Sequence, residues 1–134
     1  MARARSPDRV LVDTDVMIWH LRGHPKATQQ LDALPKLTIS AVTWLELLQG
    51  FRNRAESQAV QKSLEMRHAE RLPLTPAITE RAVGLMEALA LSNGLQMGDA
   101  LIAATALEHK LPVLTGNAKH FAPIDGLRVE RFEP

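Results

Sequence analysis

The sequence predicts a three-layer α/β/α sandwich around a short-stranded, mostly parallel central sheet. Three observations predict it. Short apolar runs (Val10-Leu11-Val12, Leu37-Thr38-Ile39, Pro112-Val113-Leu114 and Leu127-Arg128-Val129) alternate with helical segments, the order that builds parallel sheets. The 134-residue length suits one domain with a real hydrophobic core. No repeat, linker or low-complexity stretch divides the chain, so residues 1–134 are read as one domain, with 1–8 as a flexible lead-in.

The elements follow in order. Arg9 to Val12 reads as a buried first strand, closed by the polar turn Asp13-Thr14-Asp15. A short helix over 16–21 ends near Gly23, and a second over 27–34 is stopped by Pro35. Residues 37–39 form the second strand, and Ser40 caps a helix over 41–52. A polar helix over 56–71 carries a thin apolar stripe at Ala59, Val60 and Leu64, and 72–74 is a weak strand or extended connection. Thr75 as cap and Pro76 at the first helical position open a helix to about Ser92, which ends at Asn93-Gly94. The most apolar helix spans 101–111, followed by strands at 112–114 and 127–129.

Hydrophobic residues make up 46% and charged residues 23%, an ordinary globular balance, and the formal net charge is +1. Overall charge therefore does not advertise nucleic acid, and any basic surface must come from local clustering. The absence of cysteine excludes disulfides, thiolate metal sites and cysteine nucleophiles. No apolar run reaches the roughly 18–20 residues of a membrane span. The basic start, Met1 to Pro7, has no apolar h-region and is not read as a signal peptide. A cytoplasmic bacterial protein is the expectation.

Polar groups embedded in apolar segments carry the chemistry. Burying a lone carboxylate is expensive, so a chain that does so repeatedly needs a cation or a hydrogen-bond network. Asp13 closes a strand, where open α/β sheets form their ligand crevice, although a helix cap is its plain alternative. Asp15 is the better cap candidate and can also orient Asp13 from behind. Glu46 sits among Val42, Trp44, Leu45, Leu47, Leu48 and Phe51, with an edge-of-helix position as its plain alternative. Asp99 follows Gly98 before a strongly apolar helix, where macrodipole stabilisation is the local alternative. Asn117 follows a strand and a Thr115-Gly116 turn; a cap is its ordinary role, and its amide oxygen can also face a cation. The five histidines form no HxxxH metal spacing on one helix, since the helix over 16–21 ends near Gly23, between His20 and His24; His24 and His68 are expected to be exposed, and His120 has a surface role as its first reading and a place near the crevice as its alternative.

Taken together and in order, four segments resemble the PIN-domain ribonucleases, specifically VapC-type toxins of bacterial toxin–antitoxin pairs. They are Val10 to Val16, Ile39 to Gly50, Gly98 to Leu107 and Val113 to Phe121. The resemblance spans about residues 10–131. It implies a PIN-like fold and an acidic site of Asp13, Glu46 and Asp99 that holds Mg²⁺ or Mn²⁺. The chain departs from the pattern at Asn117, where some relatives carry a fourth acid.

The implied activity is endonucleolytic cleavage of RNA, transfer RNA or another structured RNA, which would inhibit translation. Asp13 and Asp99 would bind metal directly or through water, and Glu46 through water or as general base. Asn117, Thr115 and Thr14 would position water or phosphate, with Asp15 behind them. Arg22, Lys26, Arg52, Arg54, Lys119 and His120 are candidate RNA contacts, each with solvated surface charge as its alternative. The implied partners are a second copy, forming a homodimer, and a cognate antitoxin that places a peptide in a groove of Trp19, Trp44, Leu48 and Phe51. An antitoxin arginine reaching the carboxylates would inhibit by replacing metal charge.

Three other readings compete. Asp13-Thr14-Asp15 resembles the paired acids of haloacid-dehalogenase phosphatases, but Met17 stands where those enzymes carry Thr or Val, and their later lysine and acid pair are not evident. A phosphoacceptor receiver domain would need a central-strand Asp that is missing. The non-enzymatic alternative is a PIN-fold RNA- or partner-binding protein that has lost catalysis, to which Asn117 lends weight.

Overall fold

The computed structural model describes residues 9–134. The lead-in expected at 1–8 lies outside the described residues. Five strands form one sheet: β1 (Leu11–Val12), β2 (Thr38–Ser40), β3 (Glu70–Leu72), β4 (Val113–Thr115) and β5 (Val129–Arg131). Their order is β3-β2-β1-β4-β5 and every pairing is parallel, so the mostly parallel sheet expected is wholly parallel. Parallel strands need crossovers, and helices supply them: α1 (Thr14–Leu21), α2 (Pro25–Asp32), α3 (Ala41–Gly50), α4 (Arg54–Met66), α5 (Pro76–Asn93), α6 (Met97–His109) and α7 (Ala118–Phe121).

The pleat sends alternate side chains to opposite faces of the sheet, which creates two cores. Leu11 and Val113 face α5 and α6, where they pack with Ile78, Ala82, Ile102 and Ala103. Val10, Val12 and Leu114 face α1 and α2, where they pack with Val16, Met17, Ala27 and Leu31. Small residues let α6 lie close to the sheet: Ala100, Ala103, Ala104 and Ala106 are completely buried. These two cores on one sheet are the three expected layers.

Several local signals operate as read. The Ser40 hydroxyl accepts the Val42 N–H at 3.1 Å and caps α3. Thr75 caps α5 with Pro76 in its first turn, and Gly94 ends that helix at φ 68°, a left-handed geometry suited to glycine.

Other boundaries differ. Helix α4 begins at Arg54 and stops at Met66, and edge strand β3 takes 70–72, two residues ahead of the weak strand read at 72–74 and over the last residues read as helix. The reason is tertiary: the Glu70 N–H donates to Leu37 O at 2.8 Å, and β2 supplies the pairing. Strand β5 falls two residues later than read, set by its register against β4. Helix α6 starts at Met97, so Asp99 lies inside its first turn rather than ahead of it. His24, expected to be exposed, is half-buried edge-on between Trp19 and Phe132, with ring centroids at 5.0 and 5.9 Å.

Candidate active site

The chain runs from β1 to β2 and β3 on one side of the sheet and returns to β4 and β5 on the other. Its direction therefore switches between β1 and β4, and a crevice opens there at the carboxyl ends of the strands. Asp13 follows β1 into this crevice, and Thr115, Gly116 and Asn117 reach it from the end of β4. Helix α3 brings Glu46 from one side and the first turn of α6 brings Asp99.

Asp13 is the best-held acid. It is 5% exposed, with its backbone N–H on Leu114 O at 2.9 Å. Its Oδ1 accepts the Thr14 N–H at 2.8 Å and its Oδ2 accepts the Thr115 hydroxyl at 2.7 Å. Asp13, not Asp15, is thus the N-cap of α1, a correction to the expectation. Helix α1 starts at Thr14, two residues earlier than a cap at Asp15 would need. Burial, and next the charge of Asp15, push the Asp13 carboxyl up to about 7, against the two donors that favour its anion.

Asp15 sits in the first turn of α1 with its Oδ2 accepting the Gly116 N–H and the Asn117 side-chain amide, both at 3.0 Å. Its Oδ1 is buried without a partner. Burial raises its carboxyl above the ordinary value, opposed first by the neighbouring Asp13 side chain and then by the Gly116 and Val16 N–H groups. Asn117 occupies the N-cap position of α7 but makes no side-chain cap bond there. Its amide turns to Asp15 instead, because the acid offers a charge-assisted acceptor. A Cβ at Gly116 would come within 2.7 Å of Asp15 Oδ2, so glycine is what lets this acid approach the β4 turn.

Glu46 is exposed on α3 and is held by hydroxyls. The Thr14 hydroxyl lies 2.6 Å from its Oε1 and 2.9 Å from the Thr43 hydroxyl. A chain in which Thr43 donates to Thr14 and Thr14 to the carboxylate satisfies all three groups. Thr43 is completely buried, and the sequence reading passed over it; its signal was a hydroxyl three residues before Glu46 on one helix face.

Burial and next the charge of Asp13 raise the Asp99 carboxyl, while His120 works the other way. The His120 Nδ1 stands 3.4 Å from Asp99 Oδ2, so this ring belongs to the crevice rather than to the general surface.

The cationic side chains expected to contact RNA separate. Lys119 and His120 ride on α7 beside Asn117. Arg22 lines a cavity of about 550 Å³ that also has Glu46 in its wall. Arg52 lines it too, with its exposed guanidinium paired to Glu56 at 2.9 Å. Lys26 and Arg54 are exposed on α2 and at the start of α4, outside that cavity lining. The expected groove of four apolar residues divides as well. Trp44 and Leu48 line a cavity of about 680 Å³ against Leu64 and Arg71, Phe51 belongs to the 550 Å³ cavity, and Trp19 packs on His24.

The donor set fits a hard divalent cation such as Mg²⁺ or Mn²⁺. It is all oxygen, its buried acids are raised for want of a counter-charge, and Asp15 Oδ1 has no partner. Among the described residues no three acid or imidazole groups close into a cage, so an ion here would complete its shell with water or phosphate oxygens.

The PIN domain profile matches residues 10–127. Ribonuclease VapC10 of Mycobacterium tuberculosis is 38% identical over 123 residues, spanning 89% of this chain and 90% of the relative. A toxin-antitoxin complex from Klebsiella pneumoniae superposes with a TM-score of 0.78 at 32% identity, over 94% of this chain and 100% of that one. VapBC2 from Rickettsia felis, bound to a DNA fragment from their promoter, shares the fold at a TM-score of 0.79 and 21% identity, over 92% and 98% of the two chains. A wholly parallel five-stranded sheet, an acidic crevice at its switch point and these matches agree: the chain belongs to the PIN-domain family and is of the VapC ribonuclease type.

Proposed function

We propose that this chain is a metal-dependent endoribonuclease acting as the toxin of a toxin–antitoxin pair, and that it stops translation by cutting transfer RNA or another structured RNA. The observation that carries the reading is the gathering of Asp13, Asp99 and Glu46 at the β1/β4 switch point, where burial, and next the charge of a neighbouring carboxylate (Asp15 on Asp13, Asp13 on Asp99), holds two of them above their ordinary pKa. Such acids are poorly stable together without a cation. The family match supports nuclease chemistry and gives no support to the phosphatase and receiver readings.

A divalent cation bound there supplies positive charge to the phosphodiester and acidifies water. Asp13 and Asp99 would hold such an ion, with Asp13 fixed by Thr14 and Thr115. Glu46, held by the Thr14 hydroxyl, is placed to take the proton of the attacking water. Asp15 clamps the β4 turn and so keeps Thr115 and Asn117 at the crevice. Lys119 and His120 face the incoming phosphates from α7.

The partners of this reading are a second copy and an antitoxin. The cavity walled by Trp44 and Leu48 suits the apolar face of an antitoxin segment. No helix among the described residues is long and apolar enough to cross a membrane.

The test is cleavage of a pool of bacterial RNA by purified, antitoxin-free protein, with Mn²⁺ or Mg²⁺, with EDTA, and beside Asp13→Ala. Discrete cuts that need both metal and Asp13 are expected; cuts that survive EDTA would overturn the metal-dependent reading.

A further inference from the structure

The 550 Å³ cavity beside the carboxylates has a composition the cleavage chemistry does not use. Its floor is apolar, made by Ile18, Leu21, Phe51 and Val60, contributed by α1, the end of α3 and α4. One wall is Glu46, the same residue that turns its Oε2 toward Gly98 in the crevice. Arg22 stands on the rim at the C-terminal end of α1, exposed, and pairs with no acid among the described residues. The opposite rim is the Arg52–Glu56 pair, whose charges largely cancel.

An apolar floor is a poor place for phosphate and a good one for a flat, weakly polar ring. A cavity of this size takes one small ring system with its sugar. A nucleobase stacked on Phe51 and the aliphatic side chains would leave its ribose-phosphate at the rim, where the single uncommitted cation is Arg22. Continuity through Glu46 then puts the neighbouring phosphodiester at the carboxylates.

We propose that this cavity is a nucleobase pocket: it receives one unstacked base of a single-stranded RNA segment, next to the bond that is cut, with Phe51 as the stacking surface and Arg22 on the adjoining phosphate. This inference rests on the ribonuclease reading above and deepens it. It makes the protein select splayed, single-stranded nucleotides over paired ones, because a paired base cannot leave its stack to enter.

The test uses the full chain carrying Asp13→Asn to block turnover. The probe is a short single-stranded oligouridylate containing one 2-aminopurine; uridines stack weakly, so the base is bright in the free strand and is quenched by stacking on the protein. Leu21 is 37% exposed, so Leu21→Asp keeps the fold while placing charge in the pocket; Phe51→Leu keeps the floor apolar and removes the ring. Quenching on binding is expected, with Leu21→Asp weakening the probe about ten-fold and Phe51→Leu losing most of the quench. In the active background both substitutions should raise KM for RNA more than they lower kcat. Probe affinity and KM unchanged in Leu21→Asp would overturn the proposal. So would variants that lose neutralisation by the antitoxin while cutting RNA normally, since the pocket would then hold a peptide. The ribonuclease reading fails separately, by the absence of metal-dependent cleavage in the unsubstituted protein, because probe binding is scored without turnover.

Discussion

Gly98 and Glu46 are in direct opposition across the crevice: a Cβ on Gly98 would stand 2.8 Å from Glu46 Oε2. The atom it would meet is the free end of a flexible side chain, so the carboxylate would move rather than the backbone. Gly98 is also the second residue of α6, where alanine is a better helix former by up to about 1 kcal/mol. Gly98→Ala should therefore separate stability from activity. The melting temperature is expected to stay level or rise, while kcat/KM for RNA falls about 10–100-fold through a misplaced carboxylate. Unaltered cleavage would mean that Glu46 does not work from the position seen here.

Thr14 gives a second handle on the same acid. Its hydroxyl reaches both Glu46 and the buried Thr43. Thr14→Val keeps the shape and removes the donor, and a carboxylate freed of its hydrogen bond samples other rotamers. A fall in kcat of about ten-fold with little change in KM is expected, since positioning of the base is a transition-state effect. Thr14→Ser should restore most of the rate. Equal losses in the Ser and Val variants would point to packing instead.

The candidate acids were legible in the sequence because each interrupts an apolar segment, and an acid in such a place needs a reason. Their partners were less so. Asp13 and Thr115 are 102 positions apart and meet only because β1 and β4 are neighbours in the sheet. The same pairing draws Asp15 to Gly116 and turns the Asn117 amide away from the cap it was expected to make. Strand β3 was read two residues late, as a weak strand at 72–74, for a related reason: Glu70-Arg71-Leu72 has little strand character of its own, and β2 imposes it. For His120 the sequence favoured a surface role over the crevice, because its link to Asp99 depends on how α7 packs beside α6.

The raised acids predict how the metal-free protein responds to pH. Asp13 moves from an ordinary 3.8 to about 7 on folding, and Asp15 and Asp99 move in the same direction. Between those values the folded chain holds more protons than the unfolded one, so stability falls as pH rises from about 4 to about 7. The metal-free melting temperature should be lower at pH 8 than at pH 5. Asp13→Asn should flatten that slope and melt about 2–6 °C above the unsubstituted chain at pH 8. Mn²⁺ should raise the melting temperature more at pH 8 than at pH 5, because it binds the deprotonated acids. Thermal unfolding across pH, with and without Mn²⁺, checks all three; a slope unchanged in Asp13→Asn would place the burden on other groups.

Asn117 is the position where a neutral amide stands in an otherwise acidic neighbourhood, and the structure shows what the amide does. Its Nδ2 donates to Asp15 Oδ2, an oxygen that also accepts the Gly116 N–H, while the other oxygen is buried without a partner. Asn117→Asp would replace that donor with a second anion 3.0 Å from the first at most small rearrangement, in a place where Asp15 is already raised by burial. Breaking a charge-assisted bond and adding a like charge should lower metal-free stability by about 1–3 kcal/mol at pH 8, less at pH 5 where the pair can share a proton. Divalent cation should recover part of the loss, because the new carboxylate adds a ligand. Urea unfolding of the variant with EDTA and with Mn²⁺ measures both effects. If the variant is as stable as the parent in EDTA, the Asn117–Asp15 bond is not what holds the β4 turn, and the turn must be fixed by the Thr115–Asp13 and Gly116–Asp15 bonds alone.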